Sequence, residues 1–276
     1  MDEVSNTPGR VGGRVTSRDG TPIAYERYGE GPPLVLVSGA LGTAAGGRAL
    51  GGLLARRFSV VAYDRRGRGG SGDTGPYAVE REIEDLAAVV GEAGAGAALY
   101  GEGTGGALAL AAVAAGLEAG AVAAYEPPYS AEAAERRRQV GVLLGEGRPL
   151  AALDLFLADP ASASGPRPGV TELRPGVAEL RPGVAELAHT LAYDLAVLGD
   201  GTVPERLLAR VHARVLVVDG GASPAWTRRA ALALTAALPR ARHRTLTGQT
   251  HEVAPHVLAP VLEDFLTEDR ETVEAA

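Results

Sequence analysis

Residues 101–105 form a predicted turn with three glycines at the end of an apolar segment that begins at residue 97. A turn at this place could present a catalytic group. The turn reads Gly101-Glu102-Gly103-Thr104-Gly105 and runs into an alanine-rich segment. A G-x-S-x-G turn between a strand and a helix holds a nucleophilic serine above the end of the strand. Here the central residue is Gly103, which carries no hydroxyl. The sequence therefore excludes acyl-enzyme chemistry through position 103.

The glycine at position 103 is compatible with the geometry of such a turn. The residue at the apex has a positive φ that costs another residue type about 1–3 kcal/mol, whereas glycine adopts it without steric penalty. A glycine in place of serine thus keeps the turn and removes the hydroxyl. The Thr104 side chain is predicted to cap the following helix. Glu102 adds a carboxylate beside the turn, and both a surface role and a catalytic role stay open for it.

Other reactive side chains are few. The chain has no cysteine, which excludes disulfides, thiolate nucleophiles and cysteine metal sites. His251 and His256 flank Glu252 without further ligands nearby, so neither a metal nor another cofactor is predicted. His212, His243 and His256 are predicted to be structural. The run Asp64-Arg65-Arg66-Gly67-Arg68 could bind an anion, but bracing of its own loop is the preferred interpretation.

Strands and helices alternate along most of the chain. Continuous apolar runs predict buried strands at 33–40, 58–64, 97–102 and 121–127, with helices between them. Residues 214–220 and 241–248 are predicted to continue the pattern as two further strands. This order predicts an α/β fold with a doubly wound, mostly parallel sheet of six strands and right-handed crossovers. VTSRDGTPIAYERYG adds an N-terminal hairpin. Residues 1–13 are predicted to be a disordered tail, with order beginning near Arg14.

The alternation stops between Pro128 and about Glu205. We predict a helical lid at 128–205, inserted after the strand that ends near Pro127, and a core formed by 14–127 and 206–268. A seven-residue repeat, RPGVTEL-RPGVAEL-RPGVAEL, fills 167–187. Proline and glycine in every unit argue against a coiled coil, so a tolerant loop is predicted. His189, Tyr193 and Asp194 have helical spacing and could either face the pocket or pack.

Charge and hydropathy limit the partners. The net charge is −7, and no basic patch with interleaved aromatic residues is present, which argues against nucleic acid. The N-terminus lacks the features of a signal peptide, and the most apolar run is interrupted by Glu118 and glycines. A cytoplasmic protein with a small-molecule partner and no membrane partner is predicted. A homodimer is left open.

Several motifs together resemble the α/β-hydrolase superfamily, and more closely a group of small actinobacterial α/β hydrolases. The resemblance covers most of 14–127 and 187–268 and is carried by DGTPIAYERYGEGPPLVLVSGAL, YDRRGRGGSGDTGPYAVEREIEDLAAV, the turn at 101–105, YEPP, AHTLAYD, VLVVDGGASPAW and RHRTLTGQTHEVAPHVLAPVLEDF. In this family the turn reads G-H-S-S-G. Glu102, Gly103 and Thr104 therefore replace a histidine, the nucleophile and the serine after it.

The resemblance implies a role for other residues. His251 in GQTHEV matches the triad histidine, and Glu126 in YEPP is the favoured triad acid. Asp219 is a poorer candidate because it lies in or at the end of its strand, and Ser223 occupies the other usual acid position. The backbone N–H groups of Ala40 and Thr104 would form the oxyanion hole. The residues expected to contact substrate are Gly39, Leu41, Tyr125, His189 and Tyr193.

Three functions are compatible with these residues. The first is acid–base chemistry without a covalent intermediate, such as cyclisation, elimination or isomerisation of a nonpolar carbonyl compound in secondary metabolism. The second is weak ester hydrolysis by water that His251 activates. The third is binding or scaffolding without catalysis. The low aromatic content predicts a pocket lined mainly by aliphatic side chains.

Overall fold

Eight strands form one sheet in the computed structural model, which describes residues 10–131, 134–158 and 182–268. The strands are β1 (Val11–Thr16), β2 (Pro22–Tyr28), β3 (Pro33–Val37), β4 (Ser59–Tyr63), β5 (Ala98–Glu102), β6 (Ala121–Tyr125), β7 (Arg214–Gly220) and β8 (Ala241–Leu246). Their order across the sheet is β1-β2-β4-β3-β5-β6-β7-β8. β1 and β2 pair antiparallel, and β2 pairs antiparallel with β4. β3 to β8 are parallel, which confirms the predicted hairpin and six-stranded parallel sheet.

Helices cover both faces of this sheet, as parallel strands require. They are α1 (Arg48–Leu54), α2 (Val79–Ala93), α3 (Thr104–Ala114), α4 (Ala134–Gly145), α5 (Pro149–Leu157), α6 (Pro182–Ala185), α7 (Leu191–Leu198), α8 (Glu205–Leu208), α9 (Ala225–Ala237) and α10 (Pro255–Thr267). Short 3₁₀ turns lie at Ala44–Gly47 and Ala188–Thr190. α2, α3 and α9 bury apolar side chains against one face of the sheet, and α1 and α10 against the other.

Side chains along each strand alternate between the two faces of the sheet. In β5, Leu99 packs on the α2–α3 face, whereas Tyr100 packs on the α1–α10 face. Both side chains are buried because β5 lies between β3 and β6 in the middle of the sheet. The carboxyl ends of β3, β5, β6 and β7 therefore meet at one edge, where the loops that follow these strands can approach one another.

The segment between β6 and β7 forms helices α4 to α8 in its described part. Val140, Leu153 and Leu191 from three of its elements form a separate apolar cluster, against which Ala40 and Leu41 pack. This cluster places the segment over the loop that follows β3. Of the seven-residue repeat, residues 167–181 lie outside the described residues.

The predicted start of order at Arg14 is too late. β1 already begins at Val11 and pairs with β2 from Val11 opposite Arg27 to Thr16 opposite Pro22. The sequence did not predict a strand at this point because residues 12 and 13 are both glycine, which is depleted in strands. Backbone pairing with β2 nevertheless extends through both glycines. The remainder of the predicted tail, residues 1–9, lies outside the described residues.

Candidate active site

A sharp turn joins β5 to α3 at Gly103. Gly103 has φ 52° and ψ −124°, and its N–H donates to the Tyr125 carbonyl at 2.8 Å. The flanking glycines are needed because strand and helix approach closely. A Cβ at Gly101 would lie 2.5 Å from the Gly105 carbonyl carbon, and a Cβ at Gly105 would lie 2.2 Å from the Val37 oxygen. This is the geometry that presents a side chain at position 103 above the sheet edge.

His251 lies directly over this turn. A Cβ at Gly103 would lie 3.6 Å from Cε1 and 3.7 Å from Nε2 of His251, with no closer neighbour. Both distances are ordinary van der Waals contacts, so a small side chain fits there. A hydroxyl on that Cβ could come within hydrogen-bond reach of Nε2. The site therefore has room for a small side chain at position 103 with an imidazole beside it, and Gly103 carries no hydroxyl.

Glu126 orients the His251 ring. Nδ1–H of His251 donates to the Glu126 carboxylate over 2.9 Å, and this leaves Nε2 directed at Gly103. The Gly220 N–H donates to the other carboxylate oxygen at 2.8 Å. Glu126 is buried and has φ 46°, a strained value that residues other than glycine rarely adopt outside functional sites. Gly220 was not anticipated, since a backbone donor leaves no trace in the sequence.

The contact between Glu126 and His251 shifts the pKa of both side chains. The hydrogen bond to Glu126 raises the pKa of His251 above its ordinary 6.5, and the negative charges of Glu126, Glu102 and Glu252 add to this despite the opposing effect of burial. Burial tends to raise the pKa of Glu126, but hydrogen bonds from His251 and Gly220 outweigh it and the net shift is downward. Glu126 is thus held as the carboxylate that supports a protonated imidazole.

Asp219 has a different partner. It is fully buried in β7, where its carboxylate accepts from His243 at 2.6 Å and from Thr245 at 2.8 Å. These contacts join β7 to β8, and none of them involves His251. Of the two candidate acids, Glu126 is therefore the one that contacts the histidine. His243 has the structural surroundings that were predicted for it.

The two predicted oxyanion donors lie beside the turn. Thr104 is the first residue of α3, so its N–H has no carbonyl acceptor one turn earlier in the helix. Ala40 follows β3, and the neighbouring Gly39 approaches the turn so closely that a Cβ there would lie 2.9 Å from the Glu102 oxygen. Leu41 in the same loop as Ala40 has φ 59°, a strained value like that of Glu126 in the loop after β6. The loops after β3 and β5 thus bring their backbone together at the same edge of the sheet.

The prediction that the Thr104 side chain caps α3 is wrong. No side-chain capping hydrogen bond is formed at this helix start. The Thr104 hydroxyl instead donates to Asp194 of α7 at 2.6 Å and is itself buried. α7 brings a carboxylate over the turn, and a hydroxyl that donates to such a charged acceptor forms a strong hydrogen bond.

The arginines of the loop after β4 are fully buried and paired. Arg65 makes a double hydrogen bond to Glu82, with both contacts at 2.7 Å, and Arg66 makes the same contact with Asp85. Arg68 donates to Asp194 at 2.8 Å. These arginines brace their loop against α2 and α7, in line with the preferred interpretation of this motif, because charge buried to this extent has to be paired.

Three residues expected to contact substrate have other contacts. The Tyr193 ring stacks on Tyr77 with centroids 3.9 Å apart, and its hydroxyl donates to Asp73 at 2.9 Å. His189 also faces Asp73, at 3.5 Å. Tyr125 is fully buried and donates its hydroxyl to the Thr250 carbonyl, which supports the loop before His251. Helical spacing placed residues 189 and 193 on one face but did not show which neighbour that face meets.

A cavity of about 110 Å³ opens beside the turn on the α1–α10 face of the sheet. Its wall is mostly aliphatic, and the exposed Glu102 lies at the edge where the turn begins. Side chains in the wall include Leu36, Ser38, Thr43, Leu50, Tyr100, Val253 and Leu258. The volume is somewhat below the ~150 Å³ that accommodates benzene in an engineered cavity. The cavity therefore suits a small, largely apolar group.

Two further types of site are absent from residues 10–131, 134–158 and 182–268. No group of three or more histidine, aspartate or glutamate side chains is arranged to hold a metal ion there. No helix in the same residues is long and apolar enough to cross a membrane.

Comparison with known proteins agrees with this architecture. A family model described as an alpha/beta hydrolase family matches residues 34–264. An alpha/beta hydrolase from Sphaerobacter thermophilus DSM 20745 is 47% identical, with a TM-score of 0.80 over 92% of this chain and 100% of that chain. No curated protein sequence matches.

More distant structures share the fold alone. Epoxide hydrolase A from Mycobacterium thermoresistibile is 24% identical, with a TM-score of 0.68 over 93% of this chain and 98% of that chain. An esterase from Rhodococcus sp. ECU1013 is 21% identical, with a TM-score of 0.67 over the same shares. The family match spans the parallel strands from Leu34 in β3 to β8, the turn at Gly103 and the loop that carries His251. On that evidence the chain belongs to the α/β-hydrolase family.

Proposed function

We propose that this protein catalyses acid–base chemistry on a small carbonyl compound without forming a covalent enzyme intermediate. One observation carries the proposal: His251, held by the buried Glu126, directs Nε2 at Gly103, where there is no hydroxyl to deprotonate. An oriented base with no nucleophile of its own is free to accept a proton from a bound molecule.

The proposed reaction begins at a carbon next to the carbonyl group. His251 Nε2 takes a proton from that carbon, and the C–H electron pair moves to form an enolate. The N–H groups of Ala40 and Thr104 would stabilise the enolate oxygen. Return of the proton to a different carbon gives isomerisation. Loss of a leaving group from the β-carbon gives elimination, and attack of the enolate within the same molecule gives cyclisation.

The substrate class follows from the cavity and from charge. The cavity reaches the turn at Glu102, next to Gly103 in the chain, and its aliphatic wall favours a nonpolar group. The Glu102 carboxylate at its edge disfavours an anion. A neutral, mainly apolar ketone or aldehyde fits both features. Intermediates of secondary metabolism include many compounds of this kind.

Proton abstraction can be tested with a simple ketone in D₂O. Exchange of the α-protons of 2-butanone, followed by ¹H NMR, is expected with the native chain and lost in His251→Ala. General-base catalysis typically contributes about 10²–10⁴-fold. His256→Ala is the matched control, because His256 is exposed on α10 and outside the site. Exchange at the same rate in native chain and His251→Ala would reject the proposal.

A second function, hydrolysis by a water that His251 activates, is favoured by one observation. The His251 side chain is 63% exposed, so solvent can reach the ring. This function predicts slow hydrolysis of p-nitrophenyl butyrate by the native chain and loss of hydrolysis in His251→Ala. If neither hydrolysis nor proton exchange depends on His251, the third function, binding without catalysis, is the remaining one.

A further inference from the structure

Asp194 of α7 connects the two loops that hold the candidate oxyanion donors. Its side chain is buried and lies between α3 and the loop after β4. One carboxylate oxygen accepts from the Thr104 hydroxyl at 2.6 Å and from Arg65 at 2.8 Å. The other accepts from Arg68 at 2.8 Å. A single carboxylate thus reaches both sides of the site.

The contact with Thr104 acts on the first donor. Thr104 begins α3, and its N–H points out of the end of the helix where no backbone acceptor holds it. Its hydroxyl, anchored at 2.6 Å on a charged acceptor, fixes the side chain and with it the position of the Cα that carries this N–H. The nearest alternative, a capping bond within the helix, is not formed.

The contact with Arg68 acts on the second donor. Nη2 of Arg68 donates to Asp194, and Nη1 donates to the Gly39 carbonyl at 2.6 Å. The Gly39 carbonyl and the Ala40 N–H belong to the same peptide group, which is planar. Because the two point in opposite directions across that plane, a hydrogen bond that fixes the carbonyl also fixes the direction of the N–H.

We propose that Asp194 is a positioning residue that aligns both oxyanion donors, the Thr104 N–H through the threonine hydroxyl and the Ala40 N–H through Arg68. This inference rests on the proposed function, since it assigns those two N–H groups to the oxygen of the bound carbonyl compound. It also gives a reason for an acidic residue at this place in α7, where packing alone would not require one.

The charge state of Asp194 supports this arrangement. Burial tends to raise its pKa, but the positive charges of Arg68 and Arg65 and the hydrogen bonds it accepts outweigh this and lower the pKa. The carboxylate is therefore ionised and can accept the three hydrogen bonds at once. A neutral amide of the same shape would offer only one oxygen, and could not replace it.

Asp85 provides a matched control for a purely structural role. It is buried like Asp194 and binds Arg66 with two contacts of 2.7 Å, so it braces the same arginine-rich loop. These two hydrogen bonds to Arg66 involve neither Thr104 nor Arg68. An effect that Asp194→Asn produces and Asp85→Asn does not therefore reflects more than loss of a buried ion pair.

The direction of each N–H can be measured without any activity. Residual dipolar couplings in the full-length, ¹⁵N-labelled chain report the orientation of the Ala40 and Thr104 N–H bonds. Asp194→Asn is expected to change both couplings. Thr104→Val, which removes only the hydroxyl and leaves Asp194 paired with the arginines, is expected to change that of Thr104 alone. Thr104→Ser and Asp85→Asn should retain the native values.

A kinetic measurement then connects orientation to function. The measurement uses Gly103→Ser as the parent and p-nitrophenyl butyrate as the substrate. Adding Thr104→Val or Asp194→Asn is expected to lower kcat by about tenfold or more, with KM little changed. Adding Thr104→Ser, which keeps a hydroxyl, should leave kcat at the value of the parent. Complete loss of one oxyanion donor costs about 10²–10³ in kcat, which is the upper limit.

The outcomes separate this inference from the proposed function. Native couplings for Ala40 and Thr104 in both Asp194→Asn and Thr104→Val would overturn the role of Asp194, whatever the protein catalyses. Equal loss of kcat in Asp194→Asn and Asp85→Asn would overturn it as well. Changed couplings together with an inactive Gly103→Ser would instead support the alignment by Asp194 and count against the proposed function.

Discussion

At the scale of single residues, the candidate site brings together an acid, a histidine and a glycine in the arrangement of a serine-hydrolase triad without its serine. Glu126 and His251 keep the contact that a triad acid and base require, and Gly103 keeps the space for the third side chain. The unusual feature is therefore the missing hydroxyl at position 103, and not the arrangement of the residues around it. The absence of a hydroxyl at position 103 is the difference that leaves this arrangement without the nucleophile of a serine hydrolase.

Restoring that hydroxyl is expected to create an esterase. Gly103→Ser should hydrolyse p-nitrophenyl acetate with an initial burst, and at least about 100-fold faster than the native chain, because a triad serine contributes up to ~10⁶-fold in subtilisin. The burst should disappear when His251→Ala is added. Gly103→Ala is the control, since it fills the same space without a nucleophile. Equal rates for the serine and alanine variants would contradict an assembled site.

The Glu126 contact predicts how His251 titrates. In the native chain the midpoint for His251 should lie above 6.5, because the hydrogen bond to Glu126 favours the protonated ring. Glu126→Gln removes the negative charge, so the midpoint should fall. The neutral, basic ring then forms at lower pH. ¹H NMR of the Cε1 proton measures both midpoints, and the exposed Glu252→Gln should shift the midpoint less. An unchanged midpoint in Glu126→Gln would refute the assignment of the acid.

At the scale of elements, the turn between β5 and α3 depends on glycines for two separate reasons. Gly101 and Gly105 allow strand and helix to approach, since a Cβ at either would fall within 2.5 Å of backbone atoms. A Cβ at Gly103 would make ordinary van der Waals contacts with the His251 ring, so this position needs glycine only for its positive φ. Glycine is therefore required at positions 101 and 105 because a Cβ would clash, and at position 103 because of its backbone conformation.

These two reasons predict different stabilities. Gly103→Ala should lower the free energy of unfolding by about 1–3 kcal/mol, the cost of a strained φ. Gly105→Ala should cost considerably more, because its Cβ would lie 2.2 Å from the Val37 oxygen and the helix would have to move away. Urea denaturation of the two variants gives the comparison. A Gly105→Ala variant as stable as Gly103→Ala would show that the strand and helix separate easily.

At the scale of the whole molecule, one carboxylate attaches the segment between β6 and β7 to the parallel sheet. Asp194 meets Arg65 and Arg68, which extend from the loop after β4. A second contact, the packing of Ala40 and Leu41 on the apolar cluster of that segment, lies next to it. The described part of the segment is thus fixed to the core by both charge and apolar packing, close to the candidate site.

Loss of the Asp194 carboxylate is expected to destabilise the protein strongly. Asp194→Ala leaves the fully buried Arg68 without its carboxylate partner, and breaking such a pair costs about 3–5 kcal/mol. The control is Glu146→Ala, which removes an exposed pair with Arg148 in the same segment and should leave the urea midpoint unchanged. A small effect of Asp194→Ala would mean that water reaches Arg68 readily.

Sequence alone determined the fold class, the six parallel strands with their hairpin, and the missing nucleophile. Each of these depends on local chemistry: apolar runs that are buried on both faces form parallel strands, and a glycine cannot supply a hydroxyl. The resemblance also pointed to His251 and Glu126, but left Asp219 as an alternative. The oligomeric state, with a homodimer left open, stays a prediction.

Only the tertiary structure decided which polar groups meet. Asp219 pairs with His243 across two neighbouring strands, Thr104 reaches Asp194, and Tyr193 stacks on Tyr77. These partners are between 24 and 116 residues apart in the chain. Spacing along one helix or strand shows which side chains share a face, whereas the partner of that face is set by how the elements pack. That is why a contact between His251 and Glu126 could be predicted from the resemblance, whereas the contacts of Asp194 with Thr104 and Arg68 could not.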